Sequence, residues 1–256
     1  MEDVSVIIPC YNAGAPLLRA IDSVARQDRS VREIIVVNDA STEKLPKVHA
    51  PENIKLVHLR LSENSGPATA RNVGIQQAKG QWVAFLDADE VWAPNKIRKQ
   101  MDFLRAYPEY SLCASGAGAE GRTSGSGHAE SFWREVFPRE LLWKNPFRTS
   151  SVIVRRECLP VFPEGAYYSE DYACWQQLLF SGYRAALMDE VLVYFDRKPA
   201  SAGGLSEHGE EMLRGELRNF KDLAKQGHVS WFRAGIACGW SLLKFFRRKL
   251  ARSLER

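Results

Sequence analysis

Short apolar runs of strand length alternate with segments of helical periodicity along the first 110 residues. The apolar runs predict strands over residues 4–8, 33–37, 54–59 and 82–86. The segments between and after them predict helices over residues 16–26, 65–79 and 94–107. Because a helix between two strands returns the chain to the same edge of a sheet, this order predicts an α/β fold. We expect a parallel sheet with helices on both faces.

The second half of the chain is less regular. A glycine-rich segment over 115–127 is predicted to be a loop, and an aromatic-rich stretch follows at 132–143. Strands are predicted over 149–154 and 191–195. Helices are predicted over 168–180, 206–225 and 230–254, so the chain ends in a helical extension.

The composition excludes several classes of protein. The 35 Lys and Arg residues against 31 Asp and Glu leave a net charge of only +4, which argues against a dedicated nucleic-acid binder. With 45% hydrophobic and 11% aromatic residues, the chain can bury a core and is not disordered as a whole. The five cysteines are odd in number and far apart, which predicts reduced thiols in the cytoplasm rather than disulfides or a zinc site.

Neither end of the sequence has the pattern of a signal peptide or a membrane-spanning helix. Residues 1–9 contain no basic region followed by a long apolar core, and we expect them to enter the first strand. The longest uncharged apolar-rich stretch near the C-terminus covers 234–243, about half the length that a spanning helix needs. We therefore expect that the chain does not cross a membrane.

Two carboxylates follow the fourth predicted strand in the triplet Asp87-Ala88-Asp89. Carboxylate oxygens suit hard cations such as Mg²⁺ and Mn²⁺, and these cations bind phosphate oxygens. The triplet lies at the carboxyl end of a predicted parallel strand, where α/β sheets bind their ligands. A solvated acidic turn is the alternative that the triplet alone leaves open.

Three further groups of polar residues are candidates for the same site. Asp39 ends the second predicted strand and can accept a hydrogen bond from an imide N–H such as that of uracil, or it is a turn residue. Tyr11 can stack on a base or pack internally, and Arg71 can pair with a diphosphate or lie in solvent. Glu170 and Asp171 begin a predicted helix, where the helix dipole favours acidic residues and where one of them could be a general base.

Four ordered blocks of sequence together resemble the inverting family 2 glycosyltransferases of the GT-A fold. The first block reads Val-Ser-Val-Ile-Ile-Pro-Cys-Tyr-Asn, and the blocks cover residues 4–12, 33–42, 64–75 and 80–90. Downstream, residues 169–178 are similar to the Glu-Asp motif of the family, so the resemblance covers about 200 residues. It implies a Rossmann-like nucleotide-binding sheet with helices on both faces, here followed by the C-terminal helical extension.

The resemblance implies a donor site for a UDP-sugar. Asp39 matches the uracil-binding aspartate of the family, Tyr11 matches the aromatic residue near the base, and Arg71 matches a nucleotide-site arginine. Two more residues inside the matching blocks are assigned to the same site, namely Pro9 and Ala88.

The resemblance also implies a metal site and a mechanism. Asp87 would lie toward the sugar or ribose, and Asp89 would bind Mn²⁺ or Mg²⁺ together with Asp87. Asp171 matches the catalytic base, with Glu170 beside it. The implied reaction is a direct displacement at the anomeric carbon with inversion, in which Asp171 deprotonates the acceptor hydroxyl and the metal stabilises the departing UDP.

The sequence departs from the family pattern in two places. Processive members carry a Gln-x-x-Arg-Trp motif and membrane-spanning helices, whereas residues 175–178 read Trp-Gln-Gln-Leu, which implies addition of a single sugar. Many members have a histidine beyond the last strand, where this chain has Lys198. His208 is an alternative metal ligand nearby, and Lys198 or Arg197 is an alternative contact for the diphosphate.

The last predicted helix is amphipathic and basic. Its apolar residues recur at steps of three and four and are Phe232, Ile236, Trp240, Leu243, Phe246, Leu250 and Leu254. Six basic residues and one acidic residue lie within 244–256. Such a helix can lie in an anionic membrane surface. The alternatives are packing on the catalytic domain or on a second subunit, which would make a homodimer.

We therefore predict a metal-dependent hexosyltransferase that moves one sugar from a UDP-sugar to a hydroxyl of a glycan or lipid-linked acceptor. It would act in cell-envelope or exopolysaccharide synthesis, in the cytoplasm and at the inner face of the cell membrane, without nucleic acid. The expected parts are a nucleotide-sugar half over 1–110, an acceptor and catalytic-base half over 111–205, and helices over 206–256. We expect Trp133, in the aromatic-rich stretch, to help shape the acceptor site.

Two other classes remain open at this point. A sugar-nucleotide pyrophosphorylase also uses an α/β nucleotide site and a divalent metal, but residues 10–14 lack the basic residues of its early glycine-rich loop. A non-catalytic sugar-nucleotide or membrane-binding subunit is the other alternative, against which the joint presence of Asp39, Asp87, Asp89 and Asp171 argues.

Overall fold

A computed structural model describes residues 3–47, 49–119, 132–165, 168–195 and 209–254. Within these ranges the strands are β1 Val4–Cys10, β2 Glu33–Asn38, β3 Lys55–Arg60, β4 Trp82–Phe85, β5 Glu90–Trp92, β6 Tyr110–Gly118, β7 Trp133–Val136, β8 Ile153–Arg155 and β9 Arg184–Phe195. The α-helices are α1 Gly14–Ala25, α2 Gly66–Gln77, α3 Lys96–Ala106, α4 Glu170–Phe180, α5 Gly209–Lys225 and α6 Trp231–Leu254. Short 3-10 helices cover Pro138–Leu142, Thr149–Ser151 and Arg156–Cys158.

The strands form one mixed sheet in the order β3-β2-β1-β4-β8-β6-β9-β5, with β7 paired to β9. Strands β1 to β4 are parallel, as predicted. The prediction of a parallel sheet is wrong further along, because β8 runs antiparallel to both β4 and β6, and β5 and β7 run antiparallel to β9. β8 enters the sheet from a 3-10 turn, without the helical crossover that a parallel neighbour needs.

Helices cover both faces of the sheet, as the sequence pattern predicts. Along β1, Val6 and Ile8 pack with apolar residues of α1 and α3, whereas Ile7 packs on the other face with residues of α2 and α4. Both sets are buried because successive side chains of a strand point to opposite faces. The sheet runs through both predicted halves of the domain, and the division at residue 110 stays a prediction.

Strand β1 continues through Pro9, where we expected it to stop. Leu86 donates its N–H to the carbonyl of Ile7, so the backbone groups of Ile7 face β4. Pro9, two residues on, faces the same side, beyond the last paired residue of β4. The missing N–H of proline therefore costs no ladder hydrogen bond there.

Several predicted boundaries are wrong by more than a turn. Residues 115–118 extend β6 instead of starting a loop, residues 149–151 form a 3-10 turn instead of a strand, and β9 begins seven residues before 191, at Arg184. The remainder of the predicted loop, over 120–127, lies outside the described residues. So do Arg197, Lys198 and His208.

The cysteines are free thiols, as predicted. Four of them are buried and Cys238 is half-buried. Among the helices that the structure describes, none has the length and apolar character to span a membrane.

Candidate active site

The carboxyl ends of the parallel strands bring three of the predicted site residues to one edge of the sheet. Tyr11 follows β1, Asp39 follows β2 and Asp87 follows closely after β4, and the three strands are direct neighbours. The turns after β1 and β2 are tied together, because Asn12 accepts a hydrogen bond from the backbone N–H of Thr42 at 2.9 Å. Tyr11 keeps an exposed ring at this edge.

Asp39 holds the start of α2. Its two carboxylate oxygens accept the backbone N–H groups of Ser65 and Gly66, each at 2.8 Å. Ser65 directly precedes this helix, but its side chain makes no capping hydrogen bond, and Asp39 performs that role instead. Each oxygen keeps a second lone pair, so the geometry is compatible with a further donor such as a base N–H.

Arg71 connects the two ends of the site. Its Nη2 donates to Oδ1 of Asp87 at 2.9 Å, and its Nη1 donates to Oε1 of Glu170 at 2.8 Å. Burial disfavours the charged form of the guanidinium, but the carboxylates of Asp87, Glu170 and Asp171 outweigh burial and raise the pKa of Arg71. The side chain of Arg71 is buried, and Asp87 and Glu170 engage both of its terminal nitrogens. The sequence predicted a contact between Arg71 and the diphosphate. That contact stays a prediction.

Glu170 and Asp171 lie in the first turn of α4, and a second helix supports that turn. Ser169 has a left-handed backbone with φ of 60°, and its carbonyl accepts a hydrogen bond from Nδ2 of Asn219 at 2.9 Å. Gly215 of α5 packs directly against the carbonyl of Tyr168, so closely that a side chain at position 215 would overlap it. Helix α5 therefore fixes where α4 begins.

Asp171 is held by polar groups from the segment before β8. Thr149 donates its hydroxyl to Oδ2 of Asp171 at 3.0 Å, and Asn145 donates its amide to the same oxygen at 3.4 Å. Burial raises the pKa of Asp171, and Arg71 and the Thr149 hydroxyl oppose that rise. Burial also raises the pKa of Glu170, against the opposing effect of Arg71.

The acidic turn after β4 contains three carboxylates in different environments. Asp87 donates its N–H to the hydroxyl of Ser150 at 2.9 Å, which ties the turn to the 3-10 segment. Glu90 is buried in an ion pair with Arg148, whose guanidinium also lies 4.1 Å from the ring centroid of Phe195. Asp89 is exposed at the surface of the turn, and partial desolvation and the neighbouring Asp87 raise its pKa.

The donor groups at this turn fit a divalent cation that is bound together with a diphosphate. Among the described residues, no group of three or more histidine, cysteine or acidic side chains forms a complete metal site. Mg²⁺ and related ions commonly use one or two protein carboxylates and take their other ligands from phosphates and water. Asp89, which is exposed, and Asp87, whose Oδ1 is bonded to Arg71, match that requirement.

A cleft of about 530 Å³ lies beside the acidic turn and the catalytic-base candidate. Asn145, which contacts Asp171, and Arg148, which pairs with Glu90, both line it. Trp133 also lines the cleft, and the centroid of its ring lies 4.9 Å from those of Phe103 and Tyr107.

Sequence reasoning missed the residues that support Asp87, Glu90 and Asp171. They lie in one short segment and are Asn145, Arg148, Thr149 and Ser150. A usable signal was present for three of them, since the polar run 148–151 lies between two apolar residues, Phe147 and Val152. Asn219, on α5, had no signal in the sequence.

Comparisons with known proteins agree with this geometry. The family model described as "Glycosyl transferase family 2" matches residues 5–159. The putative teichuronic acid biosynthesis glycosyltransferase TuaG of Bacillus subtilis is 30% identical over 203 residues, which are 75% of this chain and 78% of TuaG. The succinoglycan biosynthesis protein ExoO of Rhizobium meliloti is 35% identical over 103 residues, which are 40% of this chain and 30% of ExoO. An uncharacterized glycosyltransferase of Rickettsia bellii is 32% identical over 67% of this chain, and the match spans only 26% of that longer protein.

Solved structures support the fold. S. aureus TarS (residues 1–349) in complex with UDP has a TM-score of 0.62 at 21% identity, over 88% of this chain and 74% of that chain. The mannosyltransferase PcManGT of Pyrobaculum calidifontis, in complex with GDP-Man and Mn²⁺, has a TM-score of 0.61 at 22% identity, over 87% and 64% of the two chains. Family membership sets aside the pyrophosphorylase and non-catalytic alternatives. The chain belongs to glycosyl transferase family 2 and is a glycosyltransferase with a GT-A fold.

Proposed function

We propose that this enzyme transfers one sugar from a UDP-sugar to an acceptor hydroxyl, with inversion at the anomeric carbon and with a bound Mn²⁺ or Mg²⁺. One observation carries the proposal. Asp87, after β4, and Glu170, at the start of α4, are joined through Arg71, which brings the nucleotide-side turn and the acidic start of α4 together.

The uracil-side contact is assigned to Asp39 and Tyr11. Asp39 is buried at the end of β2 with free lone pairs on both oxygens, and Tyr11 presents an exposed ring from the neighbouring strand. An imide N–H would bond to the carboxylate while the ring stacks on the base. Pro9, at the end of β1, and Ala88, in the acidic turn, would shape the same donor site.

The donor diphosphate is assigned to the acidic turn. Asp89, with Asp87 beside it, would hold the cation, which when bound neutralises the negative charge that grows on the departing nucleotide. Arg71 is assigned the task of holding Asp87 and Glu170 in place, because both of its terminal nitrogens are engaged by those carboxylates.

Asp171 is assigned the role of general base. Its Oδ2 is fixed by Thr149 and Asn145, and Asn145 also lines the cleft in which we place the acceptor. Asp171 would take the proton of the acceptor hydroxyl while that oxygen attacks the anomeric carbon from the side opposite UDP. Trp133, which also lines the cleft, would contact the acceptor.

We assign the enzyme to synthesis of an extracellular or envelope polysaccharide, and to the cytoplasm. The names of TuaG and ExoO support the first assignment. Free cysteines, four of them buried, support a reducing compartment. The acceptor would be a glycan or a lipid-linked glycan.

A donor panel tests the proposal. We would measure nucleotide release from UDP-sugars and GDP-sugars with Mn²⁺, for the wild type and for Asp89→Ala and Asp171→Asn. We expect UDP release by the wild type, loss of the metal-dependent rate in Asp89→Ala, and a transfer rate reduced by about 10²–10⁴-fold in Asp171→Asn with UDP binding retained. Asp22→Asn, on the exposed side of α1, is the matched control and should behave like the wild type.

Release from GDP-sugars only would contradict the assignment of uracil as the nucleobase. Equal rates for Asp89→Ala and the wild type would contradict the metal role of Asp89. Full transfer by Asp171→Asn would contradict the role of Asp171 as general base. Trp133→Ala should retain donor hydrolysis and lose transfer, and unchanged transfer would remove Trp133 from the acceptor site.

A further inference from the structure

Helix α6 packs on the rest of the protein with its small residues. Ala234, Ala237 and Ser241 are buried, and these positions follow one side of the helix. At about 100° per residue, the opposite side carries the large apolar residues that the sequence pattern singles out. That side is exposed, and we name it the α6 apolar face, formed by Phe232, Ile236, Trp240, Leu243, Phe246 and Leu250.

The exposure of this face is unusual for a packed helix. Phe232 is 78% exposed, Leu250 63%, Phe246 61% and Leu243 58%. An amphipathic helix that stabilises its own domain normally buries its large apolar residues. In this protein the small residues of α6 pack on the domain. The α6 apolar face therefore stays exposed and is available to bind an external surface.

The charges beside the face indicate the chemistry of that surface. Helix α6 contains no acidic residue, and Arg233 and Arg247, which lie on or next to the face at about 100° per residue, are exposed. Phenylalanine, tryptophan and leucine between exposed arginines match the composition of helices that lie in the plane of a membrane surface. Anionic lipid headgroups complement these charges, whereas two copies packed face to face would bring like charges together.

The α6 apolar face lies close to the rim of the cleft. Trp240, at the edge of the face, lies 6.2 Å from Trp143 between ring centroids, and Lys244 donates to the carbonyl of Trp143 at 2.9 Å. Trp143 is exposed and is followed two residues later by Asn145, which lines the cleft and contacts Asp171. Two residues of chain span at most about 7 Å, so the rim of the cleft lies close to this end of α6.

We propose that the α6 apolar face lies in the surface of an anionic bilayer and presents the cleft beside Asp171 to acceptors held in that surface. The inference rests on the proposed function for the use of the cleft. The docking itself rests on the exposed face and on its flanking charges.

Vesicle flotation of the full chain tests the docking. We expect the wild type to float with phosphatidylglycerol vesicles, to float less at high salt, and to stay at the bottom with phosphatidylcholine alone. The double variant Leu243→Glu/Phe246→Glu should bind phosphatidylglycerol vesicles on the order of tenfold more weakly or worse, because two apolar side chains are lost and two like charges face the lipid. Leu18→Glu/Val161→Glu places the same two charges on exposed apolar residues elsewhere and should float like the wild type.

Absence of flotation by the wild type, or equal flotation by both double variants, overturns the docking surface. A wild-type dimer in light scattering that Leu243→Glu/Phe246→Glu dissociates, with no flotation, assigns the face to a second copy and also overturns it.

A second readout separates this proposal from the proposed function. UDP release from the donor in vesicle-free buffer should be the same for Leu243→Glu/Phe246→Glu and the wild type, which also shows that the variant is folded. A wild type that floats but releases no nucleotide contradicts the proposed function alone. One that releases UDP and does not float contradicts the docking surface alone.

Discussion

Charge balance at the level of single residues explains how so many carboxylates share one site. Arg71 donates hydrogen bonds to Asp87 and Glu170, and its charge opposes the rise that burial causes in the pKa of Glu170. Asp171 has no arginine in hydrogen-bond contact among the described residues. The charge of Arg71 and hydrogen bonds from the Thr149 hydroxyl and the Tyr172 backbone N–H favour its ionised form. Substitution of Thr149 removes one of these contributions.

Removal of the Thr149 hydroxyl should move the pH dependence of the reaction. The hydrogen bond from Thr149 to Asp171 favours the ionised carboxylate, so Thr149→Val should raise the pKa of Asp171 further. A general base must be ionised, and the rate therefore falls as the pH drops through its pKa. We expect the acid limb of kcat to shift to higher pH by up to about one unit, measured as a kcat–pH profile.

Thr149→Ser keeps a hydroxyl and is the matched control. Its acid limb should coincide with that of the wild type. An unshifted limb in Thr149→Val, or identical shifts in both variants, would show that this hydroxyl does not act on the base.

Lys96 is a buried cation with a measurable cost. Its Nζ has no hydrogen-bond partner among the described residues and lies 4.1 Å from the ring centroid of Trp92. Burial lowers the pKa of Lys96 to about 7, whereas an unfolded chain keeps it near 10.4. Between these values the unfolded state binds the additional proton, so stability rises with pH over that window. Below pH 7 the cost of the buried charge is fully present and does not change with pH.

The variant Lys96→Met should remove this dependence. Between about pH 7 and pH 9.5, the free energy of unfolding of the wild type should gain on the order of 2–3 kcal/mol relative to that of the variant. Guanidinium titrations at the two pH values measure the difference. Parallel changes in the two proteins would mean that Lys96 stays charged when folded.

At this scale, residue type and strand position singled out carboxylates that the fold brings to one region, but not the groups that hold them. Asp87 and Asp171 could be named from the sequence because strand ends and helix starts are recognisable in one dimension. The contact from Arg71 to Glu170 spans 99 positions and depends on the packing of α2 against α4, which no local pattern contains. The same holds for Asn219, whose partner is a backbone carbonyl 50 residues away.

At the scale of elements, α5 supports the turn at the start of α4, where we propose the general base. Gly215 allows the helix axis to approach Tyr168, and Asn219 bonds to Ser169 one turn further along α5. Phe220 adds an edge-on contact to the ring of Tyr172 at 6.2 Å. The extension after the sheet is thus part of the site, although it supplies no group that we assign to the reaction.

The variant Gly215→Ala tests this support. Its new methyl group would lie 2.5 Å from the carbonyl oxygen of Tyr168, so the start of α4 must move. Because small displacements of catalytic groups are costly, we expect kcat for transfer to fall by about tenfold or more while the KM for the donor changes less. Steady-state kinetics with varied donor would measure both.

Gly239→Ala supplies the comparison, since nothing lies within 4 Å of the added methyl group there. It should leave kcat unchanged and stabilise α6 by up to about 1 kcal/mol. Equal kcat values for the two variants would mean that α5 does not position the base.

The predicted elements agree best with the structure in the first half of the chain. Helices α1, α2 and α3 and the first four strands lie within a few residues of their predicted ranges. Most of them bury an apolar face, although β3 has no buried residue and α2 buries Arg71 and Asn72 beside small residues. The prediction of a strand over 149–151 failed because these three residues are all polar and show no apolar periodicity. In the structure the segment does not pair with a strand, and the Ser150 hydroxyl accepts a hydrogen bond from the acidic turn. The direction of each strand in the second half depends on the order of the strands in the sheet. Hydrophobic periodicity along the sequence carries no information on that order.

At the scale of the whole molecule, ligand binding should be coupled to global stability. A nucleotide and a cation that bind only the folded state raise the unfolding temperature together. We expect UDP with Mn²⁺, at about 100 times its dissociation constant, to raise the Tm by about 5–10 °C. Asp89→Ala should lose the part of the shift that requires Mn²⁺, as measured by differential scanning calorimetry.

Asp28→Ala, at an exposed salt bridge far along the chain from the acidic turn, controls for the loss of one carboxylate. It should retain the full Mn²⁺-dependent shift. A full shift in Asp89→Ala would mean that the cation is held elsewhere.

The bridge from Arg71 has a consequence for how the sequence can change over time. Loss of Arg71 alone would leave the buried carboxylate of Glu170 without its counter-charge, and loss of Glu170 alone would leave a buried guanidinium with half of its partners. Either intermediate is penalised by several kcal/mol, so single substitutions at these positions should be rare. Across relatives, positions 71 and 170 should be inherited as a pair and should change, if at all, together.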